Sequence, residues 1–137
     1  MNHHPYLRAY LAGIAVPTAF LLVILTVFTT LRHAALVPAP LERVIVFPMA
    51  LVPNLWGLWN MLHLRLRPRR RVPLGLHGAL LPFLLAPAGY GVTRLLDFAV
   101  PVLPTAAFPF IFPVAVAVYY LAWKHLVGFL NDMLGIA

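Results

Sequence analysis

The sequence predicts an all-α integral membrane protein in which four helices cross the bilayer. Four long apolar stretches, separated by short polar ones, cover residues 9–31, 44–64, 74–96 and 104–125. Each provides the ~20 residues that a helix needs to cross a hydrocarbon layer of ~30 Å. Of all residues 63% are hydrophobic and 9% are charged, whereas about 25% are charged in soluble domains. Residues 1–137 are therefore predicted to form one four-helix transmembrane domain.

The first stretch, residues 9–31, follows Arg8 in the manner of a secretory signal. It is longer than the ~7–15 residues of a signal-peptide core, so it is predicted to be a retained helix.

Prolines fall inside all four predicted spans. Each one removes a backbone donor and displaces the carbonyl four residues earlier, so every span is predicted to be kinked or locally unwound. Proline is also common in membrane helices that carry no special function. The prolines inside the spans are Pro17, Pro48, Pro53, Pro82, Pro87, Pro109 and Pro113.

The second and third spans share a weak internal repeat. Residues 48–57 read PMALVPNLWG and residues 82–91 read PFLLAPAGYG, which agree as Pro-x-x-Leu-x-Pro-x-x-aromatic-Gly. The two spans run in opposite directions, and paired, proline-broken segments of inverted direction are typical of the central site of a transporter. The helix breaks concerned are Pro48, Pro53, Pro82 and Pro87.

The fourth span is followed by a short amphipathic segment, residues 126–137. Leu126, Leu130, Met133 and Leu134 are predicted to share its apolar face. The pattern favours a last helix that overshoots the membrane or bends along its inner surface.

Positive charge is concentrated after the second span. Because cytoplasmic loops carry the excess of Lys and Arg, this arginine loop and both termini are predicted to be cytoplasmic, in the inner membrane if the source is a bacterium. Cations that flank spans favour anionic lipid headgroups as the partner, and nucleic-acid binding is not expected. The cations concerned are Arg65, Arg67, Arg69, Arg70 and Arg71, with Lys124 near the inner end of the fourth span.

A layer of polar side chains is predicted near the arginine loop. His63 precedes the loop, His77 follows it, and His125 lies at a similar depth on the fourth span. Trp56, Asn60 and His63 are spaced by four and three residues, which places them on one face of the second helix.

Several chemistries use such a layer. Two opposed histidines can hold a haem iron, three suit zinc, and imidazole also relays protons. The haem hypothesis needs a wide gap lined by small residues, for which Gly75 and Gly78 provide room. The same glycines favour close helix packing. Alternatively the layer binds a ligand or lipid headgroup, or its rings anchor helices at the interface.

The sequence lacks several features that known transport and enzymatic mechanisms require. The acidic residues Glu42, Asp97 and Asp132 all fall at span ends or in connectors, whereas proton-coupled exporters usually need a buried carboxylate. Common nucleotide-binding and hydrolase motifs do not occur, and no catalytic residue is predicted.

Three functions remain open. The first is a non-enzymatic membrane subunit of a larger assembly, in contact with other membrane chains or with its own copies and with lipid or a pigment. The second is a small oligomeric transporter or channel that uses the proline-broken helices. The third is a haem- or metal-binding electron-transfer protein that uses His63, His77 and His125.

Overall fold

The computed structural model describes residues 4–34, 41, 45–69, 71–95, 97 and 107–136, and every regular element in this part is a helix. The all-helical fold class is confirmed. Several predicted positions lie outside the described residues, namely 44, 96, 104–106, Arg70 and Ala137.

The first predicted span is helix α1, Pro5–Ala34, which is continuous over 30 residues and therefore about 45 Å long. Pro17 lies inside it on the buried side. The hydroxyls of Thr26, Thr29 and Thr30 donate to carbonyl oxygens four residues earlier at 2.8, 2.7 and 2.9 Å. These polar groups are thus satisfied within the helix itself, as an apolar solvent requires.

The second predicted span begins as a π-helical segment, Ile45–Met49, and continues as helix α2, Ala50–Leu66. Pro48 lies in the π-helical segment and Pro53 is buried inside α2. A proline has no N–H donor and crowds the preceding turn, and a local change to π-helix is one way in which the backbone accommodates it.

The third predicted span is interrupted once. Helix α3, Leu74–Ala79, is separated from helix α4, Leu81–Leu95, by Leu80. Pro82 has no N–H for the carbonyl of the residue four earlier, and the N–H of Leu80 bonds to the carbonyl oxygen of His77, three residues back, at 3.3 Å. Pro87 lies inside α4 and is exposed.

The last helix continues beyond the fourth predicted span. Helix α5, Phe108–Leu121, leads through a π-helical segment, Ala122–Val127, into helix α6, Gly128–Met133. The face packed on the bundle carries Trp123, Val127 and Asn131, at intervals of four residues, whereas Leu126 and Met133 of the predicted apolar face are exposed.

The chain turns back after α6 at a Schellman motif. The N–H of Ile136 bonds to the carbonyl of Asn131 at 2.8 Å, and the N–H of Gly135 bonds to that of Asp132 at 3.0 Å. Gly135 has a φ of +64°, which this motif requires and which glycine adopts without a steric penalty. The turn places Ile136 against Ala9 and Ala12 of α1.

Three helical stretches among the described residues are long and apolar enough to cross a membrane, which supports an integral membrane location. They are Pro5–Ala34, Leu74–Val92 and Phe108–Met133, and they correspond to the first, third and fourth predicted spans. Helix α2 has 17 residues apart from the π-helical segment that precedes it.

Helices α1 and α2 form the most extensive pair in the bundle, because glycines let their backbones meet. A Cβ placed on Gly13 would lie 2.6 Å from the carbonyl oxygen of Trp56 and 2.8 Å from the Cα of Gly57. Small residues at such crossings are typical of membrane helices, whose association depends on close packing. The main core lies beside this pair and contains Trp56, Leu81, Leu85, Trp123 and Val127.

Candidate functional site

Two of the three predicted histidines lie side by side. The ring centroids of His63 on α2 and His77 on α3 are 4.8 Å apart. His125 is exposed in the π-helical segment Ala122–Val127. Across the part of the chain that the structure describes, no group of three or more His, Cys, Asp or Glu side chains is arranged to hold a metal ion.

His77 and Trp59 join α3 to α2 by two reciprocal hydrogen bonds. The indole Nε1 of Trp59 donates to the carbonyl oxygen of His77 at 2.8 Å, and Nε2 of His77 lies 3.0 Å from the carbonyl oxygen of Trp59. The two rings also stack, with centroids 4.9 Å apart and an interplanar angle of 25°. Because a carbonyl only accepts, Nε2 of His77 carries the proton and donates, which leaves Nδ1 as the unprotonated ring nitrogen.

The space beside His77 is filled by aromatic rings. The close packing predicted at Gly75 and Gly78 is confirmed, since a Cβ on Gly75 would lie 2.8 Å from the ring of Tyr120 and one on Gly78 would overlap Cβ and Cγ of Trp123. Trp123 has no exposed surface and meets His77 edge-on at 6.0 Å. The space beside Gly75 and Gly78 is therefore filled by Tyr120 and Trp123.

Trp56 belongs to this aromatic core. It is 4% exposed and packs against Tyr119 and Trp123 with ring centroids 5.0 and 5.3 Å away. The indole nitrogens of Trp56 and Trp123 are buried without a hydrogen-bond partner among the described residues. Trp56 thus packs with its whole ring in the core.

Asn60, the other polar member of the predicted face, is 1% exposed and fully engaged. Its Nδ2 donates to the carbonyl oxygen of Ala9 and to Oδ1 of Asn131, both at 2.8 Å, and Nδ2 of Asn131 donates to its Oδ1 at 3.2 Å. A reciprocal amide pair therefore ties α2 to α6 and, through Ala9, to α1.

The arginine-loop residues divide into two groups. Arg67 and Arg71 line a cleft of about 500 Å³, together with His63 and Asp132, whereas Arg65 and Arg69 do not line it. All four arginine side chains are exposed. Lys124 is exposed, and its ammonium lies 5.9 Å from the ring centroid of Tyr120.

The guanidinium of Arg67 is held in place by the C-terminal turn. Its NH1 donates to the carbonyl oxygen of Ile136 at 3.0 Å. On the other side of the turn, NH1 of Arg8 donates to the carbonyl oxygen of Leu134 at 3.3 Å. Two arginines therefore fasten the last residues over the ends of α1 and α2.

Two important residues were not anticipated from the sequence. Trp59 precedes His63 by four residues, and Asn131 follows Trp123 by eight along one helical face. The second spacing was a signal for Asn131, but the prediction for residues 126–137 placed the packed face on Leu126, Leu130, Met133 and Leu134 instead.

No protein-family model, curated protein or solved structure is similar enough to this chain to match it.

Proposed function

We propose that the chain is a non-enzymatic integral membrane subunit that crosses the bilayer four times, with both termini and the arginine loop in the cytoplasm. One observation carries this proposal. The buried amides of Asn60 and Asn131 and Nε2 of His77 form hydrogen bonds between helices of the bundle. Buried polar groups that are paired in this way hold helices together, which is a structural role.

In this proposal α2 also crosses the membrane, in addition to the three helical stretches that are long and apolar enough to do so. The π-helical segment and α2 together cover residues 45–66, and 22 residues at up to ~1.5 Å each rise at most about 33 Å. That length matches a hydrocarbon layer of ~30 Å. A crossing here also keeps the arginine loop on one side of the membrane with both chain ends.

Helix α5 supplies the surface for a partner chain. It contains no buried residue, and Phe110, Val114 and Val118, spaced by four, are 77, 61 and 54% exposed. Helix α1, in contrast, has a buried face, because it packs along α2. Membrane helices gain stability by packing against other helices, so we place a transmembrane helix of another chain, or of a second copy, on this stripe of α5.

The other two functions have less support. The paired repeat segments occupy different surroundings, since Trp56 is buried and its counterpart Tyr90 is 62% exposed. Likewise, a Cβ on Gly57 would meet the ring of Tyr10, whereas one on Gly91 would meet nothing within 4 Å. An inverted-repeat transporter would place both segments at one central site. The haem and metal hypotheses keep only the pair of His63 and His77, because no third His, Cys, Asp or Glu side chain among the described residues joins it to form a metal-binding group.

Photo-crosslinking from α5 tests the proposal. A benzophenone amino acid at Val114 is expected to form a covalent adduct with a protein in native membranes. The matched control is the same amino acid at Val23 on α1, which is 62% exposed and is expected to yield lipid adducts. The adduct is measured by the mass added to the 15.2 kDa chain. Only lipid adducts at both positions would contradict the assignment.

A further inference from the structure

The cleft at the arginine-loop end combines charged and apolar walls. Arg67 and Arg71 contribute guanidinium groups, His63 contributes an imidazole, and Leu64, Val72 and Leu74 contribute apolar surface. The cleft therefore offers both cationic and apolar surface within about 500 Å³. Such a combination fits an amphiphile better than a small soluble ion.

The position of one guanidinium is fixed before any ligand arrives. Arg67 uses one N–H on the carbonyl oxygen of Ile136, and a guanidinium has five N–H donors in a planar fork. Donors that remain are suited to the paired oxygens of a phosphate group. Because a bonded side chain loses less conformational freedom on binding, this arrangement favours affinity.

The charges of the lining match a singly charged anion. Two arginines and Asp132 give the lining a formal charge of +1 when His63 is neutral. A phosphodiester carries one negative charge, whereas inorganic phosphate at neutral pH carries more and has no group for the apolar wall. The cleft also lies beside a connector rich in arginine, where lipid headgroups are expected.

We propose that this cleft binds the phosphodiester headgroup of an anionic phospholipid, with Arg67 and Arg71 on the phosphate and an acyl chain along Leu64, Val72 and Leu74. This lipid site requires the membrane location of the proposed function but no partner chain. A failure of the proposed contact on α5 would therefore not affect it.

Lipid titration of the full-length, delipidated protein in a neutral detergent tests the site, with bound lipid counted by native mass spectrometry. The double variant Arg67→Gln/Arg71→Gln is expected to bind phosphatidylglycerol about tenfold or more weakly, because charge-assisted hydrogen bonds are lost. The matched control Arg65→Gln/Arg69→Gln removes the same charge from the same loop, outside the cleft. It is expected to change binding by less than about twofold, because neither Arg65 nor Arg69 lines the cleft.

A third variant distinguishes a site from a structural role for Arg67. Asp132→Asn keeps the shape of the cleft and removes its one carboxylate, so it is expected to strengthen binding of phosphatidylglycerol several-fold, with little effect on phosphatidylcholine. Inorganic phosphate in large excess is expected not to displace the lipid.

Three results would overturn the proposal. Equal losses from the two double variants would mean diffuse attraction to the whole loop. Unchanged or weaker binding by Asp132→Asn would mean that the lipid lies elsewhere. Displacement by inorganic phosphate would identify a soluble anion as the ligand.

Discussion

Replacing Gly78 with alanine is expected to lower the free energy of unfolding by about 3 kcal/mol or more, which is at the upper end of overpacking effects. The added methyl group would overlap Cβ and Cγ of Trp123. Trp123 cannot move aside easily, because it is fully buried against Trp56 and His77. The measurement is unfolding of the purified protein in mixed micelles with increasing SDS, followed by circular dichroism.

Gly91→Ala is the matched control for Gly78→Ala. Both glycines lie in the third predicted span, but a Cβ on Gly91 would meet nothing within 4 Å. Alanine is favoured over glycine in helices by up to about 1 kcal/mol, so this variant is expected to be as stable as the parent or slightly more stable. Equal stability of the Gly78→Ala protein would mean that Trp123 does not pack on α3 as described.

Replacing Asn60 with leucine is expected to destabilise the bundle by about 2–3 kcal/mol. The change leaves the buried amide of Asn131 without its partner, and an unsatisfied buried polar group loses about 1–3 kcal/mol. The carbonyl of Ala9 also loses a donor. The same micelle titration measures the effect.

Two further variants separate the amide pair from general packing. The double variant Asn60→Leu/Asn131→Leu is expected to be more stable than the sum of the single changes predicts, because no unpaired amide remains. Asn54→Leu removes an exposed asparagine that bonds to Ala50 and Tyr10, and is expected to lose less than about 1 kcal/mol. Strict additivity of the two single changes would show that Asn60 and Asn131 do not interact.

The helices could be predicted from the sequence because lipid imposes one simple requirement on a crossing segment. Run length and apolarity placed the first span at 9–31 and the third at 74–96, and helices occupy both regions. The amide pair and the Trp59–His77 contact could not be predicted in the same way. Both contacts depend on the axial position of one helix relative to its neighbour. The spacing of residues within a single helix carries no information about this relative position.

For the histidine layer, the sequence indicates the depth of each residue in the membrane but not the direction in which its side chain points. Counting residues along each helix brings His63, His77 and His125 to a similar depth, and the first two are in contact. The direction in which a side chain points depends also on helix rotation. Around His125 the backbone is π-helical, with a wider turn than an α-helix, so the α-helical spacing used for the prediction does not apply.

The two segments of the proline repeat have different surroundings for a related reason. Sequence similarity over ten residues does not determine which face of a helix meets a neighbour. Pro53 is buried within α2, whereas Pro87 is exposed on α4, although both occupy the same position of the repeat. Packing partners, which the repeat does not encode, decide their surroundings.

The most direct test of the four-crossing account is cysteine labelling at two connectors. The chain has no cysteine, so a single substitution provides a unique label. Pro68→Cys keeps every arginine of the loop, and His33→Cys lies at the far end of α1. With a membrane-impermeant maleimide on intact cells, we predict labelling at position 33 and none at position 68 until the membrane is permeabilised. Labelling of both positions in intact cells would mean that residues 45–66 do not cross the membrane, which would contradict the account.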